Sequence, residues 1–284
     1  TFRSYPSGIN DRISFKKFLG LSLDKPSRLR GVGPSGPETD HSTFSRFRNR
    51  LSKQAMIHIN DVVLQEFSKK GLSINEGIAV DARLVKSASH PMSNEELREE
   101  REKRQSPEGE VDKNGNPVKF CKDIESDWTV KNDAPHYGLK EHVSVDVENG
   151  FVLGMTITPA SEHDTKYLPY LALASCHTEE PIKKIYADKG YFGQPNRVFL
   201  NLNDIEDGIM RKDTTTAKLT KLEIERNKQI SKKRYIVEQY FGLSHLHDRA
   251  YKARFTRLAK NLWDSMCRQM AFNVSRGSRI LVTP

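Results

Sequence analysis

Two strand-like segments, LKEHVSVDV (139–147) and FVLGMTITP (151–159), enclose the sequence Glu148-Asn149-Gly150. Apolar residues alternate in the first segment and run almost unbroken in the second, the two patterns that mark strands. Asn149-Gly150 is the favoured pair for a two-residue turn whose positions both need positive φ. An antiparallel hairpin from His136 to Ala160 is therefore expected, and the chain around it must build on a sheet. Three further segments read as strands. IAVDARLV (78–85) carries Asp81 in a short β-branched run, PIKKIYA (181–187) ends on Asp188, and Ile205 to Met210 adds a last short one. After Asp188, Gly190 frees the backbone to turn sharply.

Helical patterns surround these strands. Arg226 to His247, RNKQISKKRYIVEQYFGLSHLH, places Ile230, Val237 and Phe241 on an apolar stripe. Glu238 is its one acidic residue, among Arg226, Lys228, Lys232, Lys233 and Arg234. Arg234 and Glu238 are four apart, so both leave the same face of a helix, as an ordinary i,i+4 ion pair would. A helix is also expected over Lys166–Ser175, after His163, Asp164 and Thr165. The chain reads as helical from Lys218 onward, with Trp263, Met266, Met270 and Phe272 as core positions.

The first 72 residues read differently. Asp11 to Leu21 forms a short amphipathic pattern, and the proline- and glycine-rich stretch 24–39 reads as a loop. Asp40 and Ser42 are N-cap candidates for a helix with Phe44, Phe47 and Leu51 on its apolar stripe. Arg46, Arg48 and Arg50 lie off that stripe. A second helix, Gln54 to Lys70, stops at Gly71. The expected organisation is an N-terminal helical DNA-binding region at 1–72 and an α/β domain at 73–284. Within the latter, 89–119 reads as a charged, solvated connection with the character of a mobile segment. Trp128 is a packing residue without an assigned role.

The 284 residues carry a net charge of +9, which favours a polyanionic partner and, most simply, nucleic acid. Ribosomal, chromatin and membrane-surface proteins share that property. Cys121, Cys176 and Cys267 are odd in number and have no metal-ligand spacing, which points to a reducing compartment and against structural zinc. No apolar run is long enough to span a bilayer, and no signal peptide is visible, so a cytoplasmic location is expected.

Asp81, Asp188 and Glu238 acquire meaning together. Residues at adjacent strand ends of an α/β sheet meet at one edge, and a helix across that edge adds a third carboxylate. Such a cluster needs cations, because unpaired carboxylates repel and raise one another's pKa. Mg²⁺ prefers hard oxygen ligands. Two ions about 4 Å apart activate a nucleophile and stabilise the leaving oxygen in phosphoryl transfer.

In their order and spacing, DRISFKKFLGLSL, DHSTFSRFRNRL, VDARLVKSASHP, the hairpin through SEHD, YADKGY and RYIVEQYFG resemble bacterial insertion-sequence transposases of the DDE superfamily, in the branch with a compact catalytic domain. The resemblance runs from about Asp11 to Asn273. It implies an RNase H-like mixed sheet flanked by helices, with a small N-terminal helical domain. It further implies Mg²⁺ (with Mn²⁺ as a substitute) held by the triad Asp81, Asp188 and Glu238. Double-stranded DNA, both terminal repeats and target, would be the partner, with a homodimer bridging two ends. The family's pattern around the last acid is Tyr-x2-Arg-x3-Glu-x6-Lys. Arg234 and Glu238 fit it; Ser231 stands at the Tyr position and His245 at the Lys position. Lys232, Lys233, Arg234 and His245 are then expected to grip phosphate, with Arg46, Arg48 and Arg50. A metal-dependent nuclease and a non-cutting DNA-binding relative are the alternatives.

The charge pattern generates a first prediction. The log of DNA affinity should fall linearly with log salt. Replacing Arg46, Arg48 and Arg50 by Ala should flatten that slope by roughly 0.9 for each phosphate no longer neutralised. An unchanged slope in filter-binding titrations would place the DNA surface elsewhere.

Overall fold

The computed structural model describes residues 41–72, 77–105, 122–177, 181–215 and 217–282. The expected 11–21 helix, the 24–39 loop, the Asp40 cap and Cys121 lie outside these residues, as does the side chain of Phe44. The chain divides into two compact units, 1–56 and 57–284, ahead of the 72/73 boundary expected from sequence. In the first unit, α1 (His41–Arg50) leaves Phe47 exposed. The division falls inside α2 (Lys53–Lys69).

In the second unit, β1 (Ile78–Lys86) is the middle of a mixed sheet. It pairs antiparallel with β3 (Ala134–Asp146) and parallel with β5 (Lys184–Ala187), which pairs parallel with β6 (Glu206–Ile209). On β3, β2 (Asp127–Lys131) and β4 (Val152–Pro159) pair antiparallel. The run β4-β3-β1-β5-β6 joins an antiparallel meander to two parallel strands, the order of an RNase H-like core.

Alternation along β1 separates two chemistries. Ile78 and Val80 join Phe151, Leu153, Leu171, Ile185, Ala187 and Leu200 in the main apolar core, to which Leu64 of α2 adds. Asp81 and Arg83 fall on the opposite face. Of the helices that complete the unit, α4 (Leu168–Leu173) and α5 (Gln194–Leu202) put Leu168, Leu171 and Leu200 into that core. The long α6 (Lys221–Asp248) is capped by Thr220, whose hydroxyl accepts from the Glu223 N–H while Glu223 reaches back. The last helix, α7 (Leu258–Val282), buries Met266 and Gly277 but otherwise a polar row: Asn261, Asp264, Ser265, Gln269 and Asn273. Trp263, Met270 and Phe272, expected as core, are only half-buried.

Two further expectations are corrected. The hairpin exists, but not with a two-residue turn: only Gly150 has positive φ (74°). Its strands end at Asp146 and Val152, and the Asp146 carboxylate accepts from the Asn149 N–H at 2.6 Å. That side-chain bond supports a longer loop, which periodicity alone does not reveal. Residues 94–105, read from sequence as part of a solvated connection, form α3 (Asn94–Gln105). A single apolar residue, Leu97, anchors it against Met92 and Tyr137, with Trp128 alongside. One buried side chain is too little to register as periodicity.

His142 is buried on β3, its Nε2 2.9 Å from Thr158 Oγ1 and its ring 4.4 Å from that of Tyr167. Burial pulls its pKa down to about 4. The unfolded chain therefore binds the proton first, so stability is complete above the unfolded pKa near 6.5 and is lost as pH falls toward 4. In urea titrations from pH 7.5 to 4.5, His142→Phe should remove about 2.5 kcal/mol of that pH-dependent loss. Parallel curves for parent and variant would contradict this assignment.

Candidate active site

The β1–β5 register pairs Val80 with Ala187, so the next residues, Asp81 and Asp188, come from adjacent parallel strands. Asp188 directly follows β5 and caps a short 3₁₀ turn (Lys189–Tyr191), accepting from the Gly190 N–H at 2.7 Å. Burial pushes the Asp81 carboxyl above the usual range; Arg234 and the Ala82 N–H oppose this, and the charge of Asp188 adds to it. Arg234 on α6 donates from Nη2 to Asp81 Oδ2 at 2.6 Å, and Ala82 N–H to Oδ1 at 2.9 Å. The guanidinium thus pairs with Asp81, not with Glu238 as an isolated helix would suggest.

A second tie holds α6 to the same strand. Arg83, two residues beyond Asp81, donates from Nη1 to the Phe241 carbonyl at 3.1 Å and lies 4.9 Å from the centre of that ring. Positions 234, 238 and 241 form one helical stripe. Glu238 therefore sits between the two points at which α6 is fastened to β1, and it remains exposed.

Arg83 is itself held. Its Nε donates to Glu141 Oε2 at 2.6 Å, across the β1–β3 ladder where the two residues are register partners. Glu141 has no exposure and also takes Arg268 of α7 at 3.3 Å. Burial alone would raise the Glu141 carboxyl; Arg83 and Arg268 outweigh it and hold the group below its ordinary range. Arg268 also pairs with Asp264, which meets Arg254 at 3.2 Å. One buried network thereby ties β1, β3, α6 and α7.

Asp164 and Tyr191 complete the surroundings. Lys140 donates to Asp164 at 2.9 Å. Burial raises the Tyr191 hydroxyl well above its ordinary value, and Asp81, Asp164 and Asp188 push the same way. Among the described residues that hydroxyl has no hydrogen-bond partner. Also among these residues, no three His, Cys, Asp or Glu side chains are gathered closely enough to hold a metal ion. Asp81 and Asp188 come from adjacent strands, and Glu238 is exposed on the clamped helix. Lys232, Lys233 and His245 are exposed along α6, His245 with its ring 4.9 Å from Tyr251. In the other unit, Arg46 and Arg50 are exposed on α1, and Arg48 donates to Ser45 Oγ at 3.3 Å.

Residues 73–262, the span that holds these two strands and this helix, match the family model described as a transposase DDE domain. The chain belongs to that family. It is 31% identical over 247 residues to the transposase for insertion sequence element IS1106 of Neisseria meningitidis serogroup B, covering 85% of this chain and 80% of that one. It also aligns with the pre-cleavage Mos1 transpososome at 10% identity and a TM-score of 0.26, over 98% of this chain and 78% of the other. The RNase H-like assignment rests on the strand order, not on that alignment. No helix among the described residues is long and apolar enough to cross a membrane.

Sequence reasoning passed over Arg83, Glu141 and Arg268. The available signal was a charge at positions whose alternation points into the fold: Arg83 two beyond Asp81, and Glu141 inside an apolar strand. Removing one partner of a buried pair strands the other charge. Arg234→Met should therefore destabilise the metal-free protein by about 3 kcal/mol, and adding Asp81→Asn should recover most of it. Additive losses in urea melts would mean the pair is not coupled.

Proposed function

We propose that this protein is a DNA transposase that binds the terminal repeats of its element, cleaves there and joins the freed 3′-OH ends to target DNA. The observation that carries this reading is the convergence of Asp81 and Asp188 from adjacent parallel strands under a helix fastened on either side of Glu238.

The donor chemistry fits a divalent cation of the Mg²⁺ type, for which Mn²⁺ could substitute. Asp81 and Asp188 are hard oxygen donors; burial raises the Asp81 carboxyl, the charge of Asp188 adds to this, and a cation would favour the ionised form. Glu238 is the third donor on this reading. When bound, such ions lower the pKa of water and stabilise the leaving oxygen of an in-line displacement. Before ions arrive, Arg234 supplies Asp81 with its counter-charge. Its planar fork can also grip a phosphate with two donors. Lys232, Lys233 and His245 continue that basic surface along α6, and Arg46, Arg48 and Arg50 supply a second one on α1. Since two element ends must be brought together, the acting species is a homodimer on DNA.

The test separates binding from cutting. Asp188→Asn and Glu238→Gln should each lose nearly all nicking of terminal-repeat DNA in Mg²⁺. Glu238→Gln should bind that DNA at least as well as the parent, because it removes a negative charge near phosphate. If Glu238→Gln nicks at near the parental rate, Glu238 is a surface residue and the triad is wrong. A strand-transfer assay with precut ends then asks for joining. Nicking without joining would make the protein a nuclease.

A further inference from the structure

A cavity of about 530 Å³ opens at the far end of β1, its lining including Lys86, His90, Trp128, His136, Tyr137 and Lys252. That lining holds two lysines, two histidines and two aromatic rings, and no acid. Lys86 and Lys252 are partners in an isolated parallel bridge, with the Ala253 N–H donating to the Lys86 carbonyl at 2.8 Å. Like charges set side by side across strands are destabilising. Neither lysine has a carboxylate partner among the described residues, and both side chains are exposed. The arrangement therefore favours an anion between them.

The wall beneath is built and rigid. Ser87 Oγ donates to the buried Asp123 at 2.7 Å and accepts from the Ser89 N–H at 3.1 Å. Asp123 also takes the Ser126 hydroxyl at 2.6 Å, and Tyr137 donates to its carbonyl at 2.8 Å. Trp128 is held by its indole N–H on the Met92 carbonyl at 2.7 Å, with its ring 5.3 Å from that of Tyr137. Its position in the lining gives the cavity a fixed aromatic surface beside a pair of cations. An aromatic platform flanked by cations is what binds a base together with its backbone phosphates. The volume is in the range of sites that enclose a small ligand.

We propose that this cavity receives an unpaired nucleotide of the DNA, with the base against Trp128 and flanking phosphates on Lys86 and Lys252. This rests on the DNA reading above and adds a subsite to it. Lys86 lies five residues from Asp81 on one strand, about 17 Å away at strand rise. By alternation this odd separation turns Lys86 to the face opposite Asp81, so the cavity is a subsite apart from the carboxylates.

The full chain should be titrated with a short single-stranded oligodeoxythymidylate, read by tryptophan fluorescence. Quenching is expected in the parent and should vanish in Trp128→Phe. Lys86→Ala/Lys252→Ala, a change at two exposed side chains, should weaken the quench affinity about tenfold and flatten its salt slope by about 1.4. Quenching that survives Trp128→Phe comes from Trp263 and overturns the proposal. So does an unchanged affinity or slope in the double lysine variant. If the protein cuts terminal DNA but shows none of this quenching, the subsite fails and the transposase reading stands. If it quenches as expected but neither nicks nor joins DNA, the transposase reading fails and the cavity remains a nucleotide site.

Discussion

The ion pair between Arg83 and Glu141 is the interaction on which the rest depends. It crosses the β1–β3 ladder with Glu141 wholly buried. Breaking a buried pair by removing one partner costs about 3–5 kcal/mol, against a total stability of about 5–15 kcal/mol for a typical domain. The pair also locks register. A one-residue slip between β1 and β3 would turn Arg83 away from Glu141 and move Asp81 to the apolar face. Arg268 then recruits α7, and the remaining guanidinium nitrogen of Arg83 recruits α6. The helix that carries Glu238 is thus held by these polar ties together with its buried Ile230, Val237 and Tyr240.

The same logic explains the polar face of α7. Strand β4 pairs only with β3 among the described strands, so its other edge offers unpaired backbone groups. Asn273 accepts from the Val152 N–H at 2.8 Å and donates to the Val152 carbonyl, and Gln269 donates to the carbonyls of Val152 and Leu153. His177 also meets the Leu153 carbonyl at 2.9 Å, with its other nitrogen 2.6 Å from Asp61. Side-chain amides on one helix close the edge that a further strand would otherwise seek. Leucines in their place would leave those backbone groups buried and unpaired.

Much of this was legible in the sequence, for identifiable reasons. Alternation exposed the strands around Asp81 and the hairpin, and a 3.6-residue stripe exposed α6, because apolar burial writes a period into the chain. Asp188 stood out at the end of its strand as expected, whereas Asp81, also expected at a strand end, lies inside β1 (Ile78–Lys86). What stayed hidden was held by polar contacts. The loop after Asp146 depends on one carboxylate accepting a backbone N–H. Helix α3 buries only Leu97 and is otherwise tied by Arg101 to the Ile124 and Ser126 carbonyls and to Asp127. The core-facing row of α7 is built of Asn, Gln, Asp and Ser, which read as surface. Arg234 illustrates the limit most sharply. Four residues from Glu238, it suggests an intrahelical pair, whereas tertiary folding brings it to Asp81, 153 positions away. Long-range charge pairing leaves no period in the chain.

If β1, β5 and the clamped α6 bring three carboxylates to one divalent-ion site, the ion itself should show it. Anomalous diffraction from Mn²⁺ in crystals grown with terminal-repeat DNA is the most direct test. The expected result is manganese bound by Asp81 and Asp188, with the Glu238 carboxylate in the same coordination group and Arg234 turned toward phosphate. Manganese elsewhere, or a Glu238 carboxylate more than about 10 Å from the two aspartates, is incompatible with closely spaced ions sharing these ligands and would contradict the three-carboxylate site.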